Sequence, residues 1–156
     1  MIEIQIPGYK TLQLEHLVLD YNGTMAIDGQ LITGVKEALV NLADKLQIHV
    51  LTADTFGKVE TEIKDIPCKL SILPKENQDE GKLDYIKGLD PITTVCVGNG
   101  RNDQLMLREA ALGIVLVQEE GAASETILAA DVVCSNILSA LKLLTNPLRL
   151  VATLRS

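Results

Sequence analysis

Polar and apolar residues alternate over the first part of the chain. Residues 2–6 follow a period of two, Pro7-Gly8 interrupts the pattern, and residues 9–14 resume it. Alternation of this kind is typical of strands with one buried face, and a Pro-Gly pair between two such runs favours a turn. The pattern therefore predicts an N-terminal β-hairpin of two short strands.

Farther along, apolar residues form unbroken runs that are separated by segments with helical spacing. Unbroken runs are typical of strands covered on both faces, as in parallel sheets. These strands are predicted at 17–19, 48–51, 68–73, 93–97, 112–117 and 131–134. Helices are predicted at 33–46, 57–64, 77–88, 102–111, from 121 onward and at 137–144, with one or two further turns after Pro147.

The alternation of strands and helices predicts the fold class. It favours an α/β, Rossmann-like three-layer sandwich, in which a mainly parallel sheet carries helices on both faces. Thr33 is a suitable N-cap for the first helix, which is predicted to reach Leu46, and residues 25–32 are predicted to be a short, turn-rich connection. With 156 residues, the chain is predicted to be a single domain, 1–156.

Composition and charge narrow the fold and the partners. Hydrophobic residues make up 47% of the chain but aromatic residues only 3%, so the core must be aliphatic, which suits α/β layers better than an aromatic-rich β-sandwich. The net charge of −7 argues against nucleic acid as a partner, because such domains normally carry a basic face. A small phosphorylated substrate remains compatible, since one metal ion and one lysine can create a local positive site.

Cysteine, histidine and hydropathy patterns favour a soluble protein of the cytoplasm. The three cysteines are far apart within apolar segments, which predicts buried free thiols in a reducing compartment. His16 and His49 stand alone in the sequence, so a histidine metal site or relay is not expected. No apolar run approaches the ~20 residues of a membrane span, so no membrane partner is expected.

Three polar clusters follow predicted strands, at 20–24, 52–55 and 98–103. In parallel α/β sheets, ligands bind at the carboxyl ends of the strands. Because the three clusters leave the sheet at such ends, we expect them to meet in one site.

Asp20 is the first candidate for chemistry in this site. It ends an apolar strand and is followed at once by the turn Asn22-Gly23-Thr24. Burying a charge is costly unless it is paired or bound to a metal, which favours a reactive group over a simple turn residue. A carboxylate is suited to nucleophilic attack on phosphate through an aspartyl-phosphate, with a metal ion to neutralise the approaching charges.

The other clusters offer groups that bind phosphate. Thr52 ends its strand, where its hydroxyl and the following main-chain N–H groups, beginning at Ala53, are suited to phosphate oxygens. The glycines of 98–103 allow the chain to turn close to an anion, and a helix that starts at Asn102 presents its N-terminal amides. Lys82 has the helical phase to point toward the strand ends, and Lys75 is its competitor.

In combination, these motifs resemble those of the haloacid dehalogenase-like hydrolase superfamily. The matching residues are Asp20-Tyr-Asn-Gly-Thr24, Thr52, Lys82 and Gly98-Asn-Gly-Arg-Asn-Asp103. The closest pattern is the phosphorylation domain of P-type ATPases, as in its soluble, stand-alone relatives. The resemblance covers nearly the whole chain and implies a Rossmann-like domain, an aspartyl-phosphate intermediate and a requirement for Mg²⁺.

The resemblance also implies a role for each matching residue. Asp20, Asn22 and Lys82 would form the catalytic group, with Asp20 as the nucleophile. Residues near the phosphate would be Thr52, Ala53, Gly23 and Asn102. The Mg²⁺ ligands would be Asp20, the main-chain carbonyl of Asn22, Asn99 and Asp103.

Two residues depart from the family pattern. Phosphatases of this superfamily usually have an aspartate as the general acid and base where this chain has Asn22, and an amide cannot exchange a proton near neutral pH. We therefore expect slow turnover, or a preference for good leaving groups such as acyl or aryl phosphates. Asn99 stands where an aspartate ligand is usual, which weakens the negative charge around the metal.

The gaps after Gly23 and after Thr52 are too short to hold a cap domain. The site is therefore expected to be open, which leaves both a homo-oligomer and a large substrate as alternatives. A regulatory module that binds phosphate and metal without useful turnover is the rival function, favoured by Asn22 and Asn99. A receiver domain of two-component signalling fits less well, because residues 1–13 lack a paired acidic cluster.

Overall fold

A computed structural model describes residues 1–54 and 57–156. The strands are β1 (Ile2–Gln5), β2 (Thr11–Leu14), β3 (His16–Asp20), β4 (Ala26–Ile27), β5 (Gln30–Leu31), β6 (Gln47–Thr52), β7 (Lys69–Ile72), β8 (Thr94–Gly98), β9 (Leu112–Leu116) and β10 (Val132–Cys134). The helices are α1 (Val35–Leu42), α2 (Lys58–Ile63), α3 (Gln78–Leu89), α4 (Gln104–Glu109), α5 (Ser124–Ala129), α6 (Ile137–Thr145) and α7 (Pro147–Leu154).

The predicted parallel sheet is present and has six strands in the order β10-β9-β8-β3-β6-β7. Every pairing within it is parallel. β3 lies at the centre, between β8 and β6, and Asp20 pairs with Leu51 in the register of β3 and β6. The loops that follow β3, β6 and β8 are therefore neighbours at one edge of the sheet, as the polar clusters predict.

Helices cover both faces of this sheet. Alternate strand residues point to opposite sides, so that Leu17 and Leu19 belong to one core and Val18 to the other. The first core is closed by α1, α2, α6 and α7, and the second by α3, α4 and α5. The helices on both faces confirm the three-layer α/β prediction. Both cores are mainly aliphatic, as the composition predicts.

Two hairpins accompany the sheet. The predicted N-terminal hairpin is confirmed, with Ile2 opposite Leu14 in antiparallel pairing. The connection at 25–32, predicted as a turn, forms the hairpin β4–β5. Its turn residues Asp28 and Gly29 both have positive φ, of 52° and 79°, which is the backbone of a tight two-residue hairpin turn.

Some predicted helix boundaries were wrong. α1 ends at Leu42 instead of Leu46, because the chain leaves the helix in a turn in which Lys45 and Leu46 both donate to the Leu42 carbonyl. Leu46 is nevertheless buried, so its apolar spacing reflects the core and not the helix. Gly34, with φ of 94°, precedes α1 in place of the predicted cap Thr33.

Two further helices begin later than predicted. The helix predicted at 102–111 is a 3₁₀ turn, Arg101–Asp103, followed by α4. The helix predicted from 121 begins at Ser124 as α5.

All three cysteines are free, Cys96 being buried and Cys68 and Cys134 half-buried. The histidines, alone in the sequence, meet across β3 and β6, where His16 Nδ1 lies 3.2 Å from His49 Nε2. His49 Nδ1 lies 2.9 Å from the hydroxyl of Tyr85, and burial lowers the pKa of His49 to about 4, with smaller contributions from His16 and Lys69.

Within the described residues, no single helix has the length and apolar character that crossing a membrane requires. The pair α6–α7 meets that requirement by length and composition only when taken together, across a bend of 100°.

Candidate active site

Asp20 lies at the carboxyl end of β3 and is 8% exposed. Its Oδ1 accepts a hydrogen bond from Lys82 Nζ at 2.8 Å, and its Oδ2 accepts one from the Thr24 hydroxyl at 3.3 Å. Burial and the nearby charge of Asp103 raise the pKa of Asp20 to about 7, although Lys82 and Thr24 act in the opposite direction. The predicted nucleophile is therefore a buried carboxyl group that carries one direct ion pair.

Lys82 projects from α3 into the same site and is 1% exposed. Its ammonium group donates to Asp20 Oδ1, to Asp103 Oδ1 at 2.6 Å and to Asn102 Oδ1 at 3.1 Å. Burial alone would lower the pKa of Lys82, but the two carboxylates outweigh burial and raise it. Lys75 is exposed, so of the two competing lysines Lys82 is the one that lies beside Asp20.

Asp103 is fully buried and is held on both oxygens. Oδ1 faces Lys82, while Oδ2 accepts from the main-chain N–H groups of Asn99 and Gly100, at 2.9 Å each. The chain passes so close to this carboxylate that a Cβ at Gly98 would lie 2.5 Å from Asp103 Cγ. Asp103 therefore orients Lys82, and its Oδ1, which accepts one hydrogen bond, keeps a lone pair for the predicted contact with a metal.

Asn99 and Thr24 connect the first and third clusters. The Thr24 hydroxyl lies 3.3 Å from both Asp20 Oδ2 and Asn99 Oδ1. The Asn99 amide nitrogen donates to the Gly121 carbonyl at 3.0 Å, which turns its oxygen toward Thr24. Gly23 has φ of 81°, and a Cβ there would lie 2.4 Å from Asn99 Nδ2, so this turn needs glycine.

A cleft of about 450 Å³ opens over Asp20. The residues that line it come from all three clusters and from the elements beside them: Asp20, Tyr21, Asn22, Gly29, Thr52, Ala53, Asp54, Lys58, Val59, Gln78, Asn99, Gly100 and Asn102. Thr52 is buried, and its hydroxyl accepts from the N–H of Asp54 at 3.1 Å, whereas Asn22 is exposed. Thr55, the last residue of the second predicted cluster, lies outside the described residues.

Asn102, predicted to contact the substrate, already has partners for both ends of its amide. Its oxygen accepts from Lys82, and its nitrogen donates to Gln78 Oε1 at 2.7 Å. Gln78 is the first residue of α3, and nothing in the sequence distinguishes it from an ordinary helix-start residue.

Gln118 is a second residue that sequence reasoning missed. Its Nε2 donates to the carbonyls of Gly23 and Thr24, at 3.0 Å each, and its Oε1 accepts from Ile137 N at 2.9 Å. It thus holds the loop after Asp20 against the start of α6. Gln118 follows β9, a fourth strand that ends at the same edge of the sheet, and this position is the signal that could have identified it.

The oxygen donors near Asp20 fit Mg²⁺. No group of three or more His, Cys, Asp or Glu side chains suited to a metal occurs in the described part of the chain. Asp20 Oδ2 and Asn99 Oδ1 do converge on the Thr24 hydroxyl, and both are hard oxygen donors. Mg²⁺ commonly binds through one or two carboxylates together with water and substrate phosphate, so this small donor set is chemically suitable.

Two curated proteins of Methanocaldococcus jannaschii resemble parts of the sequence. The chain is 51% identical over 61 residues to the uncharacterized protein MJ0073, over 39% of this chain and 66% of that protein. It is 49% identical over 39 residues to the uncharacterized protein MJ0072, over 25% of this chain and 89% of that protein, and therefore belongs to the same family as MJ0072. Neither name states an activity. No protein-family model matches the sequence.

Solved structures resemble nearly the whole chain. The 3-deoxy-D-manno-octulosonate 8-phosphate phosphatase of Moraxella catarrhalis, in complex with magnesium, phosphate and KDO, has a TM-score of 0.68 at 16% identity over 90% of this chain and 93% of that one. The cobalt-bound phosphatase of this kind from Haemophilus influenzae has a TM-score of 0.66 at 17% identity, over 80% and 79%. A zinc-transporting PIB-type ATPase in the E2.Pi state has a TM-score of 0.63 at 21% identity, over 79% of this chain and 20% of that one.

Proposed function

We propose that this chain, which has the fold of the haloacid dehalogenase-like hydrolases, is a Mg²⁺-dependent phosphohydrolase that works through an aspartyl-phosphate on Asp20. The observation that carries the proposal is the contact of one buried ammonium, Lys82, with both Asp20 and Asp103 at the carboxyl end of the central strand. This is the arrangement that a carboxylate nucleophile needs beside an anionic substrate. The phosphatases that share the fold support a small phosphorylated substrate.

In the first step, a carboxylate oxygen of Asp20 attacks phosphorus while the bond from phosphorus to the leaving oxygen breaks. Lys82 keeps its positive charge throughout, because the two carboxylates raise its pKa. Its three hydrogen bonds are all used, so an incoming phosphate oxygen exchanges with the longest of them, the 3.1 Å contact to Asn102. Thr52 and the N–H of Ala53 line the same cleft and would bind other phosphate oxygens.

Asp20, Asn99 and the main-chain carbonyl of Asn22 would hold Mg²⁺. When bound, Mg²⁺ neutralises the charges of the carboxylate and the phosphoryl group as they approach. Asp103, the further predicted ligand, would contribute the lone pair that its Oδ1 keeps beside the hydrogen bond from Lys82, and it also orients that lysine.

Asn22 leaves position 22 without a group that can donate or accept a proton during the reaction. It lines the cleft where the family usually has an acidic residue, and its amide cannot protonate a leaving group or activate water. General acid–base catalysis typically contributes ~10²–10⁴-fold, so we expect slow turnover and a preference for acyl and aryl phosphates.

The test is hydrolysis of p-nitrophenyl phosphate and acetyl phosphate with and without Mg²⁺. We expect metal-dependent release of phosphate that Asp20→Asn abolishes. Asp44→Asn is the matched control, because Asp44 is exposed in the loop after α1, outside the cleft. A wild-type protein that turns over neither substrate would refute the proposal, and turnover that survives Asp20→Asn would refute the nucleophile.

A regulatory module that binds phosphate and metal is the second candidate, favoured by the amides at Asn22 and Asn99. Such a module takes up one phosphoryl group, or binds phosphate, without multiple turnovers. The same assay separates the two functions, since only an enzyme releases more phosphate than the molar amount of protein.

A further inference from the structure

The hydrolysis step of the proposed reaction lacks an assigned proton acceptor. Water that attacks the phosphorus of phosphorylated Asp20 must lose a proton, and the amide of Asn22 cannot take it near neutral pH. Another group in the cleft must therefore accept this proton if the phosphoenzyme is to turn over.

Four ionisable side chains line the cleft among the described residues: Asp20, Tyr21, Asp54 and Lys58. Asp20 is esterified at this stage. Lys58 is an ammonium ion that already holds its protons. Tyr21 donates its hydroxyl proton to the Gly29 carbonyl at 3.2 Å, and burial raises its pKa to about 12, so it also keeps its proton.

Two charged groups beside the cleft are also unsuitable. Lys82 is held as an ammonium ion by Asp20 and Asp103. Asp103 is fully buried, and both of its oxygens accept hydrogen bonds from Lys82, Asn99 and Gly100. Among the described residues that line the cleft, Asp54 is the carboxylate that is left.

Asp54 is well placed for this task. It lies in the loop that follows β6, three residues after Leu51, which pairs with Asp20 in the sheet. Its N–H donates to the Thr52 hydroxyl at 3.1 Å, and its Oδ2 accepts from Val59 N at 3.3 Å. The first contact holds the main chain of Asp54 and the second holds one carboxylate oxygen in the wall of the cleft. Asp54 lines the same cleft as Asp20 and Tyr21, so the two loops face each other across it. Burial, Glu62 and, to the smallest extent, Asp54 raise the pKa of Tyr21.

We propose that Asp54 is the general base that accepts the proton of the water that hydrolyses phosphorylated Asp20, an inference that rests on the proposed function. The water oxygen bonds to phosphorus as the bond from phosphorus to the Asp20 carboxyl oxygen breaks. One water proton passes to the Asp54 carboxylate, inorganic phosphate leaves, and Asp54 then returns the proton to solvent. Asp54 thus supplies, from a neighbouring loop, the base that position 22 lacks, while the first step still proceeds without an acid and stays slow for poor leaving groups.

The experiment compares the wild type with Asp54→Asn in p-nitrophenyl phosphate and Mg²⁺, following p-nitrophenol in the first turnover and at steady state. We expect Asp54→Asn to release one equivalent at an undiminished rate and then to turn over at least 100-fold more slowly, since formation of the phosphoenzyme from an aryl phosphate needs no acid. Intact mass should show a phosphorylated protein in the variant. Asp54→Ser, which keeps an oxygen for Val59 N–H, should behave in the same way, and Asp44→Asn should match the wild type.

Asn22→Asp in the Asp54→Asn background separates a chemical role from a structural one. If Asp54 supplies a proton acceptor, a new carboxylate at position 22 should restore steady-state turnover at least tenfold. The proposal is overturned if Asp54→Asn turns over like the wild type, if it loses the first turnover as well, or if Asn22→Asp gives no rescue. Failure of the proposed function itself looks different, because then the wild type shows neither a first turnover nor steady-state release.

Discussion

Replacing Lys82 by methionine tests the electrostatics of the site directly. Methionine keeps most of the buried stem of the side chain but removes the ammonium group, which leaves Asp20 and Asp103 facing each other without a counter-charge. Their Oδ1 atoms lie 2.8 and 2.6 Å from the same nitrogen, so they are at most about 5.4 Å apart. At an effective dielectric constant of 20, two unit charges at this separation repel by about 3 kcal/mol.

We therefore expect Lys82→Met to lower the free energy of unfolding by up to about 3 kcal/mol at pH 7.5, because protonation of Asp20 limits the loss. Broken buried ion pairs typically cost about 3–5 kcal/mol. The loss should be smaller at pH 5. Lys82 is one of the groups that lower the pKa of Asp20, so its removal raises that pKa further above its value in the unfolded chain. A carboxyl group with a raised pKa in the folded state takes up a proton at low pH, which relieves the repulsion, and it loses that stabilisation as the pH rises through the raised pKa.

The assay is urea unfolding of metal-free protein at pH 5 and pH 7.5. A second change, Asp103→Asn in the Lys82→Met background, removes one of the two charges and should restore most of the stability at pH 7.5 while changing little at pH 5. The reasoning fails if Lys82→Met costs less than about 1 kcal/mol, if its cost is the same at both pH values, or if Asp103→Asn makes the protein still less stable.

Three further predictions concern the same loops. Gly98→Ala places a Cβ 2.5 Å from Asp103 Cγ, so we expect a loss of about 1–3 kcal/mol in urea unfolding and at least a tenfold loss in kcat; unchanged kinetics would show that the loop adjusts freely. Gln118→Glu sets a carboxylate against the carbonyls of Gly23 and Thr24, which should cost about 1–3 kcal/mol, whereas Gln5→Glu on an exposed strand position should cost almost nothing. In metal-free protein, the raised pKa of Asp20, about 7 against 3.8, predicts that stability falls as the pH rises from 4 to 7. Mg²⁺ favours the ionised carboxylate, so its stabilising effect in thermal unfolding should be larger at pH 7.5 than at pH 5, and an equal effect at both would contradict the assignment.

The sheet could be predicted because each of its central strands is recognisable from a few consecutive apolar residues. Strands covered on both faces need unbroken apolar runs, and Leu17–Leu19 is such a run in the central strand. The end of α1 could not be predicted in this way, because Leu46 is buried from a turn as effectively as from a helix. The Asp28-Gly29 pair is the sequence signal of the β4–β5 hairpin, but each of its strands is only two residues long and carries too little pattern to be recognised.

The residues of the candidate site also differ in how well the local sequence predicts them. Asp20, Thr52 and Lys82 were found because each stands at a strand end or in a helical phase that the local sequence reveals. The hydrogen bonds of Gln118 to Gly23 and Thr24 join residues that are 95 and 94 positions apart. Contacts of this kind depend on the packing of the whole chain, and no local pattern predicts which distant glutamine reaches the loop.

The central position of β3 also fixes the order in which the site can appear during folding. The predicted nucleophile is at position 20, whereas Lys82, Asn99 and Gln118 contact it or its loop from about 60 to 100 positions farther along the chain, so each of these three contacts closes a long segment. Contacts of high sequence separation form slowly and cooperatively, because the entropy of closing the segment must be lost first. A chain that has emerged only as far as β8 therefore contains Asp20, Thr24 and Lys82, but not yet Asn99, Asp103 and Gln118. We therefore expect the long-range contacts of this loop to be complete only after β9 has joined the sheet.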